Sequence, residues 1–147
     1  MRSLLSSYAY FVIPLTAWVV AQISKIFIRG FHNKEWDWRY IYRSGGMPSA
    51  HTTIIVSLCT VIGYRTGTQS PEFGISCILA MIVMYDAINV RHAVGEHAMA
   101  LRNMLPLVYK KQIPPMIIHQ SNGHTPYEVA VGMLIGILVP IVVFTVT

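Results

Sequence analysis

Four apolar stretches set the terms on which this chain can fold: residues 8–28, 50–64, 73–90 and 129–146. A helix that crosses a bilayer needs roughly 17–25 predominantly apolar residues at 1.5 Å each. The first, third and fourth stretches meet or approach that length. The second is shorter and carries Thr52, Thr53, Ser57 and Thr60, so it is expected to pack inside a bundle with protein around much of it. Charge agrees with this reading. Only 12% of the 147 residues are charged, whereas a soluble domain carries about a quarter. The shortfall excludes a disordered chain and argues against a water-soluble globule. The expected architecture is all-α: one domain over residues 1–147, a polytopic membrane bundle of about four membrane-embedded helices plus an interfacial helix.

Basic residues are unevenly placed. Arg29, Lys34, Arg39 and Arg43 separate the first two stretches, and Arg91, Arg102, Lys110 and Lys111 separate the last two. Arg65 stands almost alone between the second and third. By the positive-inside rule, a multi-pass protein of the cell membrane would turn the two basic loops to the cytoplasm. The polar motifs described next would then share the cytoplasmic face. Within the longer loop, residues 91–105 read as a helix at the interface, limited by Pro106, with a rigid break at Pro114-Pro115. The net charge of +5 flanks apolar spans and forms no single stripe, so nucleic acid is not an expected partner. Cys59 and Cys77 lie inside apolar stretches without metal-ligand spacing and read as packing residues.

Three segments could carry chemistry. In the first, Gly45 and Gly46 allow a tight turn that exposes amides, Ser49 suits a helix cap, and His51 falls in the first helical turn. A helix N-terminus favours phosphate and depresses an imidazole pKa, while bound phosphate raises it again, which suits general-acid work. Read alone, the segment is also an ordinary capped helix start. In the second, Asp86 is a carboxylate inside an apolar span, costly unless paired or functional. On a continuous helix Asp86 and His97 would share a face within roughly 20°, about 16 Å apart along the axis. Arg91 could clamp a phosphate or serve only as a juxtamembrane charge, and His92 with Glu96 reads as a surface pair. In the third, Thr125 and Pro126 read as the cap and first residue of the last helix, and His124 could meet Glu128, which would hold one tautomer. Lys25 adds a cation near the end of the first stretch, although a lysine there more often snorkels. The six histidines include no HxxxH or HExxH pair, so neither a metal nor another cofactor is expected.

These residues, in order, resemble the divergent PAP2 family: Gly45-Gly46-Met47-Pro48-Ser49-x-His51, then Asp86-x-x-x-Val90-Arg91 with Gly95, then Gly123-His124-x-Pro126-x-Glu128-Val129. The family is a small-membrane-protein branch related to type 2 phosphatidic acid phosphatases and vanadium haloperoxidases. The resemblance implies a PAP2-like helical bundle and phosphatase chemistry on a lipid phosphate, isoprenoid or glycerolipid. Lys25, Gly45, Gly46, Ser49 and Arg91 would hold the phosphate. His51 would be the acid, His124 the nucleophile oriented by Glu128, with His97 as the other candidate nucleophile and Asp86 nearby. Ala50 replaces the glycine of the ordinary motif, and Leu101 stands where an acid would orient His97. The alternative is a protein that binds or translocates lipid phosphate without hydrolysing it. Its expected partners are lipid phosphate and membrane lipids, with self-association left open.

Overall fold

The structure, a computed structural model, describes residues 2–33, 46–109 and 123–146. Among these the only regular elements are helices: α1 (Arg2–Asn33), α2 (Ala50–Thr66), α3 (Pro71–Ile88), α4 (Val90–Tyr109) and α5 (Pro126–Val146). The all-α membrane bundle expected from the apolar stretches is therefore the observed architecture. Three helical segments, Tyr8–Phe31, Pro71–Leu105 and Pro126–Val146, are long and apolar enough to cross a membrane. Their outward faces expose large apolar side chains such as Phe11, Leu15, Ile82 and Leu138. That is the surface lipid requires.

Local chemistry sets the helix ends. Ser49 caps α2, its hydroxyl accepting from the Thr52 amide, and Gly67 at φ +84° closes the other end. Ser70 caps α3 with Pro71 in the first turn, where the missing N–H costs nothing. Inside the apolar helices, Thr16 and Ser24 donate to carbonyls four residues back, so their hydroxyls are satisfied within the helix.

Packing is organised around α2, which touches α1, α3 and α5. It buries Thr52, Thr53, Val56, Ser57 and Val61, as expected of a helix enclosed by protein. Two stripes of small residues let its neighbours approach. On α1 the buried positions recur every four residues: Ala9, Ile13, Ala17, Ala21 and Lys25. On α5 they are Gly132, Gly136 and Pro140. A Cβ at Gly132 would stand 2.6 Å from the Ser49 carbonyl oxygen, and one at Gly136 would stand 2.8 Å from that of Thr53. Close backbone approach at small-xxx-small spacing is how helices gain van der Waals contact where lipid supplies no hydrophobic drive.

Two expectations are corrected. The helix after Arg91 does not stop at Pro106 but runs to Tyr109, because the ring removes one backbone hydrogen bond and a helix near its end tolerates that loss. Nor is the chain one continuous helix from Asp86 to His97. It breaks at Asn89, whose N–H closes α3 on the Tyr85 carbonyl while its carbonyl accepts from Ala93 to open α4. The 3.6-residue period is interrupted there, so Asp86 and His97 do not share a face by simple counting. Among the described residues, α4 packs on α3 and on no other helix.

Candidate functional site

All three polar motifs meet at one end of the bundle. Backbone bonds hold them there. The Ser49 N–H donates to the Glu128 carbonyl at 3.0 Å, which ties the start of α2 to the first turn of α5. The His124 N–H donates to the Ala87 carbonyl at 3.1 Å, which ties the segment before α5 to the end of α3. Gly123 explains the closeness of that approach: a Cβ there would lie 2.3 Å from the backbone of His92. The Thr53 hydroxyl lies 3.0 Å from both the Ser49 and the Gly132 carbonyls, completing the join.

Glu128 is the pivot. Its N–H donates to the Thr125 hydroxyl oxygen at 3.3 Å while its Oε2 accepts from the Thr125 N–H at 3.0 Å, a reciprocal capping box. The same Oε2 lies 3.1 Å from His124 Nδ1. A carboxylate at Nδ1 places the ring proton there and leaves Nε2 with its lone pair. His124 is buried, at 5% exposure. It precedes the apolar span of α5, and burial pushes its pKa below the ordinary imidazole value, with Lys25 and Arg91 acting the same way against the pull of Glu128. Near neutral pH the imidazole therefore favours its uncharged form.

His51 stands in the first turn of α2, outside the three spans, with one side exposed. Its pKa is also held low, first by desolvation of its covered side and then by Arg91, His124 and Lys25, with Asp86 opposing. His51 thus feels His124, and the two imidazoles share the cations Lys25 and Arg91. Lys25 is 5% exposed and lies within electrostatic reach of Arg29 and Glu128. It faces the bundle and does not snorkel, because it is the last member of the small-residue stripe of α1.

Arg91 Nε donates to Asp86 Oδ2 at 2.8 Å across the α3–α4 break. This bond leaves the two terminal nitrogens of the guanidinium for an anion, so Asp86 sits behind the cation. Ser49 is fully buried, with its N–H on Glu128 and its hydroxyl on Thr52. It builds the floor of the site, and the structure does not turn its hydroxyl outward as a phosphate-holding group would be. Gly46 adopts φ +82°, and a Cβ there would meet Arg29 Nη2 at 2.8 Å. Gly45 lies outside the described residues. His97 is exposed and, unlike Lys25, Arg91 and Asp86, does not act on either clustered imidazole. His92 and Glu96 form the expected surface pair, at 3.7 Å. Among the described residues no group of three or more metal-ligating side chains occurs.

Sequence reasoning missed Arg29, counted only as a topology charge. Its spacing of four from Lys25 was the available signal, since Arg29 continues the same face of α1 by one turn, half-buried. The arrangement as a whole places Lys25, Arg29, Arg91, His51 and His124 around two carboxylates, a cradle suited to a multiply charged oxyanion.

A membrane protein of Bacillus subtilis (strain 168), the uncharacterized membrane protein YuiD, is 31% identical across 87% of this chain and 89% of its own length. No solved structure matches the chain. The family match, to the divergent PAP2 family, extends over residues 6–139 and so takes in all of the motifs that the fold gathers at one end. The chain belongs to the divergent PAP2 family.

Proposed function

We propose that this protein is a phosphohydrolase that removes phosphate from a lipid phosphate in the membrane. The observation that carries the reading is His124 held through Nδ1 by Glu128, within electrostatic reach of Lys25, Arg91 and His51. Family membership supports phosphatase chemistry, and the apolar spans support a substrate drawn from the bilayer.

In the first step His124 Nε2 attacks phosphorus and the bond from phosphorus to the lipid oxygen breaks. Lys25, Arg29 and Arg91 balance the charge on the equatorial oxygens. His51 gives its proton to the departing alkoxide, which leaves as the lipid alcohol. The bound phosphate supplies the proton affinity that His51 needs, since its dianion opposes the neighbouring cations. In the second step water attacks the phosphohistidine and the P–N bond breaks. His51 takes the water proton, inorganic phosphate leaves, and both imidazoles return to their starting states.

The test is metal-free phosphate release by detergent-purified protein on a panel of lipid phosphates, beside His51→Ala and His124→Ala. Release lost in both variants, with a phosphohistidine trapped only when His124 is present, is the expected result. Folded protein that binds lipid phosphate and releases none would replace this reading with that of a binding or translocating protein.

A further inference from the structure

Two cavities flank the cluster and share a wall. One, of about 760 Å³, is a groove along the end of α1, lined by Phe27, Ile28, Phe31 and Met47. The other, of about 340 Å³, lies beneath α4 and is lined by His92, Gly95, Glu96, Met99, Gly123 and Thr125. Arg29, Gly46 and Glu128 line both. The junction therefore carries a guanidinium, a backbone with no side chain to block it, and the carboxylate that holds His124. Beyond that junction one cavity is lined by apolar side chains, and the other adds His92, Glu96 and Thr125.

From this partition we propose that the substrate's hydrocarbon chain lies along Phe27, Ile28, Phe31 and Met47, while water enters and inorganic phosphate leaves through the chamber beneath α4. This rests on the phosphohydrolase reading and adds to it where the chain lies and which way each product goes. Charge complementarity identifies the occupant. The groove would be ordinary lipid-facing surface if it ended in apolar residues, but it ends on Arg29 and Gly46, one turn of α1 from Lys25. An amphiphile with an anionic head and an apolar tail matches both parts at once. Phe27 and Phe31 lie four residues apart, on one face of α1, and remain exposed toward the membrane side. A chain can thus slide in from the bilayer without leaving hydrocarbon. Water entering through that chamber takes the in-line position beside His51 that the alcohol vacates, and the lipid alcohol need not cross the polar side to depart.

The experiment uses the full chain in nanodiscs with an alkyl phosphate that carries a diazirine on the chain near its head. Labelled positions are read by mass spectrometry, with the matching alkyl alcohol and inorganic phosphate as competitors. The expected result is labelling on Phe27, Ile28, Phe31 or Met47, reduced several-fold by inorganic phosphate and unaffected by the alcohol. Met47→Trp, which fills the groove, should reduce that labelling several-fold and raise KM for a long-chain phosphate more than for a short one. Labelling spread over Phe11, Leu15 and Leu138, with inorganic phosphate still inhibiting turnover, overturns the groove and leaves the hydrolase reading standing. No competition by inorganic phosphate together with no turnover overturns both.

Discussion

The two ends of the bundle are built by the same helices and obey opposite rules. At the end away from the site, Ala9 and Ile13 of α1 bury against Val61 of α2, with Tyr10, Val143 and Phe144 around them. Tyr64 stacks on Phe144 with ring centroids 4.2 Å apart, and Arg65 lies over the Tyr10 ring at 5.5 Å. At the site end the same three helices bury Lys25, Ser49, Thr52, Thr53 and His124. Polar groups in a membrane-embedded interior are costly unless paired, and here most are paired through backbone carbonyls and Glu128. The difference divides the labour: the apolar end holds the helices together, and the polar end gathers the charged and imidazole groups.

The largest expected effect comes from the polar end. His124→Gln should lower the turnover of a lipid phosphate by about a thousandfold or more, because the nucleophile is gone while the cations that bind phosphate remain. Phosphate-release kinetics decide it, and turnover close to that of the unaltered protein would remove His124 from the chemistry.

Next is the join between the two ends. Gly132→Val places atoms where the Ser49 carbonyl stands, so α2 and α5 must separate. A loss of about 1–3 kcal/mol or more is expected, read as a lower thermal midpoint in detergent, together with lost activity. Val61→Ala tests the opposite end. It should reduce stability by roughly 1 kcal/mol or more through the cavity it leaves, with turnover at permissive temperature unchanged. Equal losses of activity in both variants would erase the division of labour.

Asp86→Asn should lower kcat/KM by about ten- to a hundredfold, since Arg91 would lose the bond that orients it. The pair is about two-fifths exposed, so stability should change by less than about 1 kcal/mol. Unfolding and kinetics measured on one preparation separate the two.

The smallest effect is set by pH. Folding holds His51 and His124 below the ordinary imidazole value, so the unfolded chain binds protons more readily than the folded one. Stability from these groups is fully present above about pH 6.5 and declines as pH falls below it toward their folded values. The acid limb of kcat/KM should likewise lie below about 6.5. An acid limb above that value would mean that bound substrate or another group governs the titration. Independently, Cys59 and Cys77 lie with their Sγ atoms 3.4 Å apart between α2 and α3. Mild oxidation of the full chain should cross-link them, and two thiols that stay free under oxidant would contradict the α2–α3 packing.

Much of this was legible in the chain because its signals are local. Apolar length announced the membrane helices, the threonines of residues 50–64 announced a helix enclosed by protein, and Thr125-Pro126-x-Glu128 announced a capped helix start. The meeting of His124 with Glu128 followed from i,i+4 spacing. What failed were inferences that ran a helical period across a junction, as with Asp86 and His97, or that treated a proline as a stop, as at Pro106. The stripes of Ala17, Ala21 and Lys25 on α1 and of Gly132 and Gly136 on α5 were present in the sequence, but a small residue every fourth position acquires meaning only once a partner helix is known to press on it.

The sequence by itself determined the solvent, the helix count to within one, the helix starts at Ser49 and Thr125, and the residue types able to handle a phosphate. These follow from transfer energies and from hydrogen bonds spanning at most four residues. Only the tertiary structure decided that Lys25 turns inward, that Ser49 is floor and not wall, that Arg29 lies within reach of Lys25, and that His124 is buried within electrostatic reach of His51 while His97 is exposed. Those outcomes depend on how closely α1 and α5 can approach α2, and that distance is set by residues far apart in the chain, 48 positions for Ile13 and Val61 and 79 for Thr53 and Gly132.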